Sequence, residues 1–145
     1  MFKDCTQFLQ DWDTEIKAGL SEGWVGGAHT YLCVNLVHIA PYSVTEELFQ
    51  CAQKSMVRGG TLMLYGPFRE EGAGPDGADM VESNARFDAS LKGRNQSWGI
   101  RSINEIQSTA AEFGFYMEEG EGEECKDRRV QMPSNNLFLT FTNKG

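Results

Sequence analysis

The chain has 145 residues and a mass of 16.2 kDa, which is the size of a single ordinary domain with its own core. With 40% hydrophobic and 23% charged residues, the composition argues against wholesale disorder, and no stretch approaches the roughly 18 apolar residues of a membrane helix. Thirteen basic and twenty-one acidic side chains give a net charge of −8, which makes binding to nucleic acid or to an anionic membrane unfavourable.

The first predicted elements are a helix, a loop and a strand. Residues 5–20 carry apolar side chains at helical spacing, and the glycines within residues 21–29 indicate a loop. Residues 31–37 form an almost continuous apolar run. A run of this kind is typical of a strand that is buried on both faces of a parallel sheet.

A second helix and a second strand follow. The motif Ser43-Val44-Thr45-Glu46 is a capping box, which predicts the start of a helix, and we expect Gly59-Gly60 to end that helix. Residues 61–65 are apolar and predict a strand that Gly66-Pro67 closes. A strand, a helix and a strand at this spacing favour a parallel crossover.

The second half of the chain predicts a loop, two helices and two strands. Residues 69–82 are glycine-rich and polar, and residues 84–91 predict a short helix with Phe87 and Leu91 facing inward. A second capping box at 102–105 opens a helix that Gly114 ends. Residues 115–117 and 137–142 predict two closing strands that pair antiparallel, so the predicted fold class is an α/β sheet with an antiparallel terminal pair.

The cysteines, histidines and acidic residues give no metal-binding pattern. No two of the four cysteines have C-x-x-C spacing, and His29 and His38 do not complete a zinc site. Five glutamates between residues 118 and 124 are most simply a solvated loop. We therefore predict no metal site, and we expect a cytoplasmic protein, with the nucleus as the alternative.

Candidate site residues follow the predicted strands, because ligands of open α/β sheets bind beyond the carboxyl ends of the strands. The residue types are amides, aromatic rings, a histidine and ionisable groups, which can hydrogen-bond or stack on a polar ligand. The candidates are Asn35, His38, Tyr65, Phe68, Asn84, Asp88, Arg94, Asn135 and Asn136.

Each candidate also has a structural interpretation. His38 would bond a backbone carbonyl as readily as it would contact a ligand. Asp88 would serve as a general base or bind a cation, or it would act as a cap or form an ion pair with Arg94 or Arg101. Turn chemistry accounts for Asn135-Asn136 about as well as ligand binding does.

Five motifs stand in a recognisable order along residues 31–142. They are Asn35 to Pro41, Leu64 to Phe68, Ser83-Asn84 with Phe87-Asp88, Trp98 to Arg101, and Met132 to Asn136. Together they resemble the methyltransferase-like protein 26 family, a group placed among class I S-adenosylmethionine-dependent methyltransferases. The fold of that family is a seven-stranded Rossmann-like sheet whose last strand runs antiparallel.

The resemblance implies that residues 31–145 are the C-terminal part of such a domain, holding its fourth to seventh strands. The family's first strand, its glycine-rich cofactor loop and its ribose-binding acid would precede the fourth strand, and we do not find them in residues 1–30. We therefore expect a truncated form with a helix and a glycine-rich loop in that segment. Without the first strand, the fourth would leave an edge that favours self-association.

The implied function is that of an S-adenosylmethionine-dependent methyltransferase-like protein with an unknown acceptor, for instance a small molecule. We place Asn35 and His38 beside the reactive end of the cofactor, and the other candidates in the acceptor pocket. Because we do not find the glycine-rich cofactor loop, we expect the chain alone to bind the cofactor weakly or not at all. The alternative is a non-catalytic interaction protein that acts through dimerisation or a partner.

Overall fold

The computed structural model describes residues 27–71, 80–117 and 129–145. The predicted helix over 5–20 and the acidic segment 118–124 lie outside the described residues, as does most of the predicted loop over 69–82. In the described part of the chain, no helix is both long enough and apolar enough to cross a membrane.

Strands and helices alternate along the described residues. In chain order they are β1 (Ala28–Val34), α1 (Tyr42–Ser55), β2 (Met56–Gly66), β3 (Phe68–Arg69), α2 (Glu82–Arg94), β4 (Arg101–Ser102), α3 (Ile103–Glu112), β5 (Phe115–Tyr116), β6 (Arg129–Met132) and β7 (Asn136–Asn143). Two short 3-10 helices, Val37–Ile39 and Pro133–Asn135, lie before α1 and before β7.

The main sheet mixes parallel and antiparallel pairs. β1 pairs parallel with β2, and β7 pairs antiparallel with the other side of β2. β5 and β6 both pair antiparallel with β7. The predicted α/β fold, with a parallel crossover and an antiparallel closing pair, is therefore confirmed.

The core lies between the sheet and the two helices α1 and α3. Phe49 of α1 packs against Phe115 and Phe141 of the sheet, with ring centroids 5.6 Å and 5.4 Å apart. Each of these rings is fully buried, and burial of such a side chain contributes about 1.5–3 kcal/mol. The hydroxyl groups of Tyr42 and Thr109 are 2.7 Å apart and join α1 to α3.

β1 differs from the prediction of a strand buried on both faces. Tyr31 and Cys33 pack against the core, whereas Leu32 and Val34 are 60% and 53% exposed. Successive side chains of a strand point to opposite faces, and the core with its residues from α1 and α3 lies against the face of Tyr31 and Cys33. The strand also ends at Val34 rather than at residue 37.

The predicted capping boxes do not form. α1 begins at Tyr42 after Pro41, so Ser43 lies inside the helix, and Ser102 stands at the N-cap of α3 without a side-chain hydrogen bond. α1 also ends at Ser55, before the predicted glycine stop. β2 starts at Met56, which pairs with Ala28 of β1, and runs through Gly59-Gly60. The register with β1 shifts between Ala28 and Thr30, opposite the segment in which Gly59 has a φ of +81°.

Candidate functional site

A cavity of about 570 Å³ opens at the carboxyl ends of β1 and β2. Its walls come from the segments after these two strands, from the first turn of α2, and from the connection between β6 and β7. The lining residues are Asn35, His38, Ile39, Pro67, Ser83, Asn84, Phe87, Ser134, Asn135 and Asn136. Five of the nine predicted site residues therefore meet in one place.

The backbone around the cavity is unusual. Asn35, Ser134 and Asn135 have φ values of +54°, +63° and +56°, and they are the non-glycine residues with positive φ in the described part of the chain. Left-handed residues other than glycine are uncommon, asparagine adopts this conformation more readily than most, and such residues cluster at functional sites. All three line the cavity.

His38 forms the floor of the cavity and is 6% exposed. Burial lowers the pKa of its imidazole below the usual value near 6.5, so the ring is neutral at pH 7. Its ring lies edge-on to that of Phe87, with centroids 5.7 Å apart. Gly66 permits this placement, because a Cβ there would lie 3.3 Å from Nδ1 of His38.

Three asparagines hold the opposite wall together. Nδ2 of Asn84 donates to the backbone oxygen of Asn135 at 3.4 Å, and Nδ2 of Asn135 donates to Oγ of Ser83 at 3.0 Å. Nδ2 of Asn136 donates to the hydroxyl of Tyr65 at 3.1 Å and to the backbone oxygen of Pro133 at 3.3 Å. These bonds tie the turn before β7 to α2 and to β2.

Four predicted site residues do not line the cavity. Tyr65 reaches it only through Asn136, and Phe68 is 5% exposed in the hydrophobic core. Arg94 is exposed at the end of α2, where its guanidinium donates to Oγ of Ser90. Asp88 is 6% exposed, and its carboxylate binds Ile100 and Lys92 of the protein itself.

Asp88 anchors the loop that follows α2. Its Oδ1 accepts a hydrogen bond from the backbone N–H of Ile100 at 2.7 Å, and its Oδ2 forms an ion pair with Lys92. The neighbouring backbone N–H of Gly99 donates to the backbone oxygen of His38 at 3.1 Å. Asp88 therefore pairs with neither Arg94 nor Arg101 and supports the segment that carries His38.

Several residues of the site were not among the predicted candidates. Ser83, Phe87 and Ser134 line the cavity, and Gly66 shapes its floor. Phe87 was expected to face the core, but it is 38% exposed. Phe87 instead contacts the ring of His38 in the cavity wall, a contact that helical periodicity alone does not predict.

One glycine pattern also escaped the sequence prediction. Gly72-Ala73-Gly74-Pro75-Asp76-Gly77 matches G-x-G-x-x-G, the pattern of dinucleotide-binding loops. These residues lie outside the described part of the chain. A single match is weak, since the pattern has meaning only between a strand and a helix that it directly joins.

The cavity carries no ionised side chain among the residues that line it. In the described part of the chain, no three His, Cys, Asp or Glu residues cluster in a way that would hold a metal ion. The polar groups available are amides, hydroxyls and one neutral imidazole. Such a set can donate and accept hydrogen bonds but offers no charge to an ionic ligand.

Solved structures share this fold. An O-methyltransferase family 2 protein from Planctomyces limnophilus, in complex with apigenin, matches with a TM-score of 0.62 and 13% identity over 84% of this chain and 34% of that one. CalO1, a methyltransferase in calicheamicin biosynthesis with SAH bound, matches with a TM-score of 0.59 and 14% identity, over 81% of this chain and 31% of that one. LepI in complex with SAM matches with a TM-score of 0.60 and 15% identity, over 90% of this chain and 33% of that one.

The chain belongs to the family described as "Protein of unknown function (DUF938)", whose model matches residues 4–143. It spans about a third of the length of the solved structures named above. At these identities, the structural likeness shows the fold alone.

The described cavity does not fit the whole of S-adenosylmethionine. That molecule carries a sulfonium, an amino-acid ammonium and carboxylate, an adenine and ribose hydroxyls, and side-chain carboxylates are the usual partners of the ammonium and of the ribose hydroxyls. None of the residues that line the cavity is Asp or Glu. The lining suits a smaller, uncharged molecule.

Proposed function

We propose that the chain provides the acceptor side of an S-adenosylmethionine-dependent methyltransferase-like protein. In this proposal a small methyl acceptor occupies the cavity, and Asn35 and His38 stand beside the reactive end of the cofactor. The observation that carries the proposal is the cavity itself, which gathers Asn35, His38 and three further asparagines at the carboxyl ends of parallel strands. Ligands of open α/β sheets bind at this edge.

The strand order supports a specific placement within the class I sheet. β7 runs antiparallel between β2 and β5, as the last strand does in that fold. We assign β1, β2, β5 and β7 to its fourth, fifth, sixth and seventh strands. The link to the methyltransferase-like protein 26 family is part of this proposal, because the same order of motifs suggested it.

The chain's own residues would act by binding and orienting the acceptor. The neutral imidazole of His38 can accept a hydrogen bond from an acceptor hydroxyl or amine, and its burial keeps it uncharged for that purpose. The edge of Phe87 limits where a flat acceptor can lie above it. Alignment of this kind is the main requirement of methyl transfer.

Calorimetric titration with S-adenosylmethionine tests the proposal, with the oligomeric state of the chain recorded. We expect weak binding, with a Kd on the order of 1 mM or above, because the lining residues supply only a part of the cofactor's partners. Asn35→Ala should weaken it further, whereas Asn95→Ala, outside the cavity, should not. Micromolar binding that is unchanged by Asn35→Ala would contradict the placement.

A second function is favoured by the exposed face of β1. Leu32 and Val34 are large apolar side chains at the end of the described sheet, where an edge strand can pair with another chain. A non-catalytic interaction protein would use this edge for a homodimer or a partner. No binding of S-adenosylmethionine by the folded chain, together with stable self-association, would support this function over the first.

A further inference from the structure

The orientation of two asparagine side chains in the cavity is fixed by their partners. Nδ2 of Asn84 faces the backbone oxygen of Asn135, and Nδ2 of Asn136 faces the backbone oxygen of Pro133. A carbonyl oxygen can only accept, so the nitrogen of each amide must stand at that contact. The Oδ1 atoms of Asn84 and Asn136 then have no hydrogen-bond donor within the described part of the chain.

Asn84 presents this free acceptor to the cavity. The residue is 8% exposed and lines the cavity, and its Oδ1 is not among the fully buried side-chain atoms that lack a hydrogen-bond partner. A ligand in the cavity can therefore reach this acceptor. The second N–H of the Asn84 amide and that of Asn135 also remain available as donors, so the wall offers acceptors and donors side by side.

We propose that the cavity recognises a neutral planar group that carries an NH₂ donor next to a carbonyl or ring-nitrogen acceptor, as in a carboxamide or an amino-substituted heterocycle. The proposal rests on the proposed function, because it names the chemical class of the acceptor in the same cavity. The NH₂ group donates to Oδ1 of Asn84 and Asn136. The adjoining acceptor receives an amide N–H, and the flat ring lies against Phe87.

Charged ligands are disfavoured by the same wall. An anion would meet unpaired carbonyl oxygens and no Lys or Arg among the lining residues. A cation would lose its hydration without gaining a carboxylate, because no Asp or Glu lines the cavity. Desolvation of an unpaired ion costs far more than desolvation of a neutral amide.

Three probes of nearly the same shape test this class on the full chain: benzamide, benzoate and benzamidinium. We expect benzamide to shift the NMR amide signals of Asn84, Asn135 and Asn136, with a Kd on the order of 10 mM for so small a molecule. The two ions should bind at least about tenfold more weakly. Asn136→Asp should reverse the preference toward benzamidinium, whereas Asn95→Asp should not, because Asn95 is exposed and lies outside the cavity lining.

Asn95 is a matched control because its Oδ1 already accepts from Ser97, a role that an aspartate keeps. If benzoate or benzamidinium shifts the cavity signals as strongly as benzamide does, the ligand class is refuted while the cavity remains a binding site. If no probe shifts those signals, the cavity is not a ligand site, and the proposed function fails with it. Should Asn136→Asp not fold, the selectivity of the native chain among the three probes decides alone.

Discussion

Replacing Asp88 tests how the structure holds the segment that carries His38. Asp88 is 6% exposed, and Oδ1 of its carboxylate accepts a hydrogen bond from the backbone N–H of Ile100 at 2.7 Å. Asp88→Ala leaves that buried N–H without an acceptor. A lost hydrogen bond to a charged group costs about 1.5–3 kcal/mol, so we expect a decrease of about 2 kcal/mol in the free energy of unfolding.

Asp88→Asn separates this hydrogen bond from the ion pair with Lys92. An asparagine still offers an oxygen to Ile100, and only the pairing with Lys92 is lost. The Lys92 side chain is 57% exposed, so solvent screens the pair and its loss costs at most about 1 kcal/mol. The alanine variant should therefore be clearly less stable than the asparagine variant.

Urea unfolding followed by tryptophan fluorescence measures both values. For a chain of this size, 2 kcal/mol corresponds to a decrease of about 4–8 °C in Tm, which a thermal scan checks independently. Equal destabilisation by the two substitutions would refute the stabilising role of the hydrogen bond to Ile100, because the ion pair with Lys92 is the interaction that both substitutions remove. An alanine variant as stable as the native chain would show that the loop does not depend on Asp88.

Three further predictions concern the histidine, a cysteine and the sheet edge. Because burial lowers the pKa of His38, the unfolded chain binds the proton more readily, and the free energy of unfolding should fall as the pH drops below about 6.5. His38→Gln should remove that part of the pH dependence, whereas the control His29→Gln should not. Burial raises the pKa of the Cys33 thiol to about 11, so at pH 8 peptide mapping should show alkylation about 100-fold slower than that of an unperturbed thiol. Sedimentation should show that Leu32→Lys or Val34→Lys abolishes any self-association through β1, and a dimer unchanged by both would exclude this edge.

The sequence predicted the elements whose hydrophobic pattern is strong. The apolar residues 61–65 and 137–142 became the paired centre of the sheet, and the helical stripe after Ile103 became α3. β6 was missed because Arg129–Met132 is only four residues long, half polar and without a buried residue, so its strand structure depends on pairing with β7. The glycine stop of α1 failed because β2 already begins at Met56, which pairs with Ala28 of β1, so Gly59-Gly60 lie in an irregular part of that strand.

The candidate site was predicted in part by the position of residues after strands. Asn35 and His38 follow β1, and the fold brings Asn135-Asn136 to them through the antiparallel course of β7. Asp88 was chosen as a candidate for its residue type, but it does not line the cavity. It lies one helical turn after Asn84 on the same buried face of α2, and a loop that no sequence pattern placed there uses its carboxylate.

The most direct test of the proposed site is an NMR map of two ligands on the same isotope-labelled chain. We expect S-adenosylmethionine to shift the signals of Asn35 and His38, and benzamide to shift those of Asn84, Asn135 and Asn136, with His38 responding to both. Shared perturbation of His38 would show that the cofactor side and the acceptor side meet in this cavity. Perturbations confined to residues outside the cavity, for either ligand, would contradict the proposed function.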